Sequence, residues 1–97
     1  MQLSSQFNRL YHSIIGDFHT KARAQHMTVL RFETFKDELK KINPDYPRQD
    51  DKPISTTKCD NKQICQHIEF ITAFAGEFGF TLAYSDREWD RLLQQIR

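Results

Sequence analysis

Phe7, Leu10, Tyr11, Ile14, Ile15, Phe18 and Ala22 recur at spacings of three and four. At 100° per residue they cover an arc of about 140° on one side of a helix, and a stripe of that width has to be buried against other elements. Ser4 and Ser5 are suitable N-caps for such a helix. Gly16 falls on the side opposite the stripe. The pattern weakens after Ala22 and then returns as Phe32, Phe35, Leu39 and Ile42, in the same heptad phase. Tyr11, Phe18, Phe32 and Leu39 share one heptad position, and Phe7, Ile14, Phe35 and Ile42 share another. The rungs between them are Lys21, Gln25 and Thr28.

No proline or glycine lies between Asp17 and Asn43, so one long helix over residues 5–43 is one reading. Three consecutive polar rungs are costly in a dry core. The pattern therefore favours a kinked helix pair broken near residues 25–28. The second helix would be capped by Thr28 or by the box formed by Thr34 and Asp37.

Asn43-Pro44-Asp45-Tyr46-Pro47 ends this region, because proline removes a backbone donor and restricts the residue before it. Residues 44–59 are rich in Asp, Pro, Ser, Thr and Lys and read as a long surface loop, ordered where Tyr46 or Ile54 tucks in. Asp60 and Gln63 then form a capping box. Ile64, Ile68, Ile71, Ala75 and Phe78 follow at helical spacing, with Phe70 and Phe74 widening the stripe. Gly79 marks the stop, with Phe80 as its hydrophobic partner. Ser85 and Glu88 form another box ahead of Trp89, Leu92, Leu93 and Ile96.

The fold class that follows is all-α: a three- to four-helix single domain over residues 1–97, with two C-terminal helices packed across the N-terminal pair. Its expected core is Phe7, Tyr11, Ile14, Phe18, Phe35, Leu39, Ile68, Ile71, Phe74, Phe78, Trp89 and Leu92. The alternative is an α+β fold in which residues 28–32 and 80–84, both rich in β-formers, pair as a minor two-stranded ribbon.

A chain of 97 residues with 12% aromatics and a net charge of +1 is not of the collagen-like, low-complexity or disulfide-scaffold classes. The uncharged apolar stretch 70–76 is far short of the roughly 20 residues a spanning helix needs. The N-terminus lacks the n-region and h-region of a signal peptide, so the chain reads as cytoplasmic, with Cys59 and Cys65 reduced. Charge is uneven along it: +3 over residues 1–43, zero over 44–63 and −2 over 64–97. This unevenness reads either as two solvated helix faces or as a basic N-terminal half, carrying Arg9, Lys21, Arg23, Arg31, Lys36, Lys40 and Lys41, that faces an acidic partner or the acidic half of a second copy. The acids Asp17, Glu33, Asp37 and Glu38 interrupt it, unlike the clustered bases of dedicated nucleic-acid binders.

His12, His19 and His26 repeat every seven residues. A rise of about 10.5 Å between them keeps any two from sharing one metal, so the row is either a packed boundary or a pH-sensitive contact face. Together with Arg23 and Gly16 these histidines form the candidate interaction surface. Cys59, Cys65 and His67 are the one soft-ligand cluster. Their C-x5-C-x-H spacing departs from the usual C-x2–4-C, and Cys65 and His67 diverge by about 160° on a helix. One core cysteine and one surface cysteine are expected, and no metal or cofactor. No nucleophile elbow, P-loop or dinucleotide fingerprint occurs, so no catalytic residue is assigned and the chain is not expected to be an enzyme. The function expected is a small protein–protein interaction module, a regulator or inhibitor that binds a protein partner or homodimerises. The alternative is a nucleic-acid-associated regulator using the basic N-terminal half.

Overall fold

The computed structural model describes residues 5–82, together with 91 and 94. The apolar stripe becomes α1 (Ser5–Ala24), and all seven of its residues are buried. The chain breaks after it, as the polar rungs require. Gln25 closes the helix, His26 takes a left-handed φ of 57°, and the chain crosses to α2 (Phe32–Ile42). At this end His26 N–H donates to Arg23 O at 3.0 Å and Met27 N–H to Ala22 O at 2.9 Å. That pair of bonds is the Schellman arrangement, with histidine where glycine is usual. Neither expected threonine cap is used for α2. Arg31 holds the N-cap position with no side-chain hydrogen bond, while Thr28 Oγ1 accepts from Leu30 N–H at 3.1 Å.

Residues 44–59 are not a plain loop. Strands β1 (Arg48–Gln49) and β2 (Lys52–Pro53) pair antiparallel, Gln49 opposite Lys52. Asp50 and Asp51 between them have φ of 54° and 64°, the sign a two-residue primed turn demands at both positions. Tyr46 tucks in as expected: it is buried, and its hydroxyl donates to Ile54 O at 2.8 Å. A short 3-10 turn, Thr56–Lys58, leads to Asp60. There the expected capping box forms, with Gln63 N–H donating to Asp60 Oδ1 at 2.8 Å and Asp60 N–H to Gln63 Oε1 at 2.9 Å.

Helix α3 (Asn61–Glu77) ends in a second Schellman motif. Gly79 has φ of 83°, Gly79 N–H donates to Gly76 O at 3.0 Å, and Phe80 N–H donates to Ala75 O at 3.1 Å. Phe80 is buried, the hydrophobic partner the motif favours.

The fold is mostly helical, with both α2 and α3 packed against α1. The core joins the stripe of α1 to Phe35 and Leu39 of α2, Ile64, Ile68, Ile71 and Ala75 of α3, and Tyr46, Cys59, Phe80 and Leu82. Three expectations change. Phe78 is not core: as the C-cap of α3 it turns outward and is 46% exposed. Phe74 is only partly buried. Among the described residues no ribbon joins 28–32 to 80–82: residues 28–31 lack ladder bonds, Phe32 already belongs to α2, and residues 80–82 are not strand. Residues 83 and 84 lie outside the described residues, as do Ser85, Glu88, Trp89, Leu92, Leu93 and Ile96 of the expected last helix.

Candidate functional site

A groove of about 230 Å³ opens between α1, α2 and α3. Its floor is Phe18 and Ala22 of α1 with Phe35 and Leu39 of α2. Phe74 and Phe78 of α3 form one wall, and Met27, Leu30 and Ile42 the mouth. The polar contributions are Thr28 and Glu38. The floor is held by aromatic contacts: Phe18 meets Phe35 edge-on at 5.1 Å, Phe74 at 6.2 Å and Phe80 at 5.9 Å. Phe74 in turn meets Phe78 at 5.1 Å.

Five large apolar residues are exposed among those described: Met27, Val29, Leu30, Ile42 and Phe78. All but Val29 line this groove. Scattered exposed apolar residues need no explanation; four converging on one apolar concavity make this groove the candidate site.

The lysines of α1 and α2 are each paired with a carboxylate. Lys21 is paired with Asp17 at 2.8 Å, Lys36 with Glu33 at 2.9 Å, Lys40 with Asp37 at 3.8 Å and Lys41 with Glu38 at 3.2 Å. Four of the seven bases of the N-terminal half are thus answered by carboxylates. Arg23 and Arg31 are exposed and make no ion pair among the described residues. They adjoin the lining residues Ala22 and Leu30. Arg48 serves elsewhere: its Nη2 reaches Lys41 O at 3.0 Å and Asn43 O at 3.1 Å, satisfying carbonyls at the C-terminus of α2.

The histidine row does not form as one row, because α1 stops before its third member. His12 is half-buried, with Nδ1 2.9 Å from Asn8 O and its ring edge-on to Tyr11. His19 packs on Phe32 and Phe35, and its Nε2 lies 2.7 Å from Leu30 O, tying α1 to the segment that enters α2. His26 is the exposed residue at the left-handed end of α1. Gly16 sits mid-helix on α1, and a methyl group there would meet nothing within 4 Å. Arg23 lies on the last turn of α1.

Cys59 and Cys65 are both buried thiols, correcting the expected division into one core and one surface residue. Cys59 Sγ donates to Tyr46 Oη at 3.6 Å, and burial pushes its thiol above the usual range. Cys65 faces Glu69 Oε1 at 3.8 Å. Among the described residues no group of three or more His, Cys, Asp or Glu is placed to hold a metal ion. None of the described helices is long and apolar enough to cross a membrane.

The residue whose structural role sequence reasoning missed is His67. Considered only as a ligand, it is a core residue 1% exposed, hydrogen-bonded to Asn43 across 24 positions of sequence. The signal available for it was the inner stripe of α3, one residue from Ile68. Comparison with known protein families, curated proteins and solved structures finds no significant match.

Proposed function

We propose that this chain is a small protein-interaction module, a regulator or inhibitor that acts by receiving a partner's helix in the groove between α1, α2 and α3. The observation that carries the reading is the convergence of Met27, Leu30, Ile42 and Phe78, all exposed, on one apolar concavity. An amphipathic helix laid in a groove presents apolar anchors at i, i+3 or i+4 and i+7. Arg23 and Arg31, next in sequence to the lining and without an ion pair among the described residues, favour a partner whose anchors are flanked by Asp or Glu. A catalytic role gains no support from the two thiols, since burial disfavours the thiolate that acts as nucleophile at Cys59. The nucleic-acid reading rests on a basic surface most of whose lysines already face carboxylates.

The test is a pair of pull-downs, wild type against Phe78→Asp, each with and without nuclease, plus light scattering of both proteins. A stoichiometric protein held by the wild type after nuclease and lost by the variant is expected. A wild-type dimer made monomeric by the substitution would identify the occupant as a second copy. Retention by both proteins, or loss on nuclease treatment, would overturn the reading.

A further inference from the structure

His67 is touched from α1, from the C-cap of α2 and from the hairpin segment. Tyr11 of α1 lies against it with ring centroids 5.8 Å apart, Tyr46 at 4.7 Å, and Phe70 of α3 stacks at 6.3 Å. Asn43, the C-cap of α2, places Nδ2 2.9 Å from Nδ1 of the ring. The orientation of that amide is settled by its other end, because Asp45 N–H donates to Asn43 Oδ1 at 3.0 Å. Nδ2 is therefore the donor and Nδ1 the acceptor, and the neutral ring carries its proton on Nε2. Neither Nε2 nor the buried Tyr11 hydroxyl has a partner among the described residues.

A second proton would have to enter at Nδ1, opposite an amide that is itself a donor. The ionised ring would lose its one hydrogen bond and become a buried charge without a counter-ion. The ionisable groups facing it offer no relief. Lys40 of α2 is buried, carries the same sign, and sits over the Tyr46 ring at 5.9 Å. Tyr11 and Tyr46 are phenols that burial keeps neutral, and Cys59 is a thiol likewise kept protonated. Asp37 is engaged with Lys40. Asp45 and Glu69 line the open cleft outside Asn43 and Phe70 and make no bond to the ring. Burial first, and then the charge of Lys40, hold the imidazole down to about 4.

We propose that His67 is an acid-operated clasp: while neutral it ties the C-terminus of α2 and the hairpin segment to α3, and a proton taken from solvent at Nδ1 releases them. The released form has an ordinary histidine near 6.5, so below that pH it binds a proton the closed form does not. The closed form then loses about tenfold in population ratio per pH unit until the closed-state value is reached.

Long-range proton–nitrogen NMR of the full chain at pH 7 reads the tautomer, with Nε2–H expected. Amide-exchange protection over residues 43–59 and 64–68, corrected for intrinsic rates, is expected to fall about 40-fold between pH 6.5 and 4.5. The middle of α1 should fall less. His67→Gln keeps an acceptor for Asn43 without an ionisable ring, and it should flatten the profile. If that variant does not fold, the wild-type tautomer and profile still decide. An Nδ1–H tautomer at neutral pH, unchanged protection down to pH 4.5, equal loss throughout α1, or an acid limb that persists in His67→Gln would each overturn the proposal.

Discussion

Phe18→Ala is the substitution whose cost the structure sets most clearly. The ring is 3% exposed, and it joins α1 to α2, α3 and the segment after α3 through Phe35, Phe74 and Phe80. Truncating a buried phenylalanine costs about 3–5 kcal/mol, the spread depending on how far the site collapses. Here the vacated volume opens into the groove, where Met27 and Leu30 can shift inward, which places the loss near 3 kcal/mol. With an m-value of about 1.5 kcal/mol/M for a chain of this size, the urea midpoint falls by about 2 M. In a thermal scan the same loss lowers Tm by roughly 12–24 °C. Phe78→Ala is the matched control. It removes the same ring from the same groove, but from a residue 46% exposed, and should cost about 1 kcal/mol or less. Urea unfolding of the two variants side by side, with m held as a check on two-state behaviour, makes the measurement. A Phe18→Ala loss below 1 kcal/mol, or one no greater than that of Phe78→Ala, would refute the assignment of Phe18 to the core.

Three further predictions rest on backbone geometry. Gly16→Ala should stabilise the protein by about 0.5–1 kcal/mol, because the position is mid-helix with open space where the methyl would stand; a raised Tm checks it. His26→Gly should also stabilise, by about 1 kcal/mol, since glycine takes the left-handed φ of 57° without penalty, and denaturant melts would show it. Gly79→Ala should do the reverse at φ of 83°, lowering stability by about 1–2 kcal/mol in the same assay.

The elements legible in the sequence are those whose signals are local and periodic. The stripe from Phe7 to Ala22 predicted α1 because every member lies within one turn of the next, and all are buried. The Asp60–Gln63 box and the Gly79–Phe80 stop were readable for the same reason: their bonds span three to five residues. The break after α1 was readable from its polar rungs. Its details were not, since His26 closes the helix in a role glycine normally signals, and Arg31 replaces the expected threonine caps. The hairpin within 44–59 was hidden because Asp50-Asp51 supplies the two left-handed residues without a glycine. Its anchor is a Tyr46–Ile54 bond visible only after folding. His67 and the groove were hidden for one common physical reason. Both depend on which residues of separate helices come together, Asn43 with His67 and Ile42 with Phe78, and periodicity along one helix carries no such information.

We propose the groove as the face this molecule presents to a partner protein. A photo-crosslinking residue placed at Met27, at the mouth of the groove, with a second chain carrying it at Gln49 on the exposed hairpin, tests that claim directly. One protein adduct of defined mass from position 27 and none from position 49 is the expected outcome. Equal labelling from both positions, labelling from 49 alone, or an adduct to nucleic acid would contradict it.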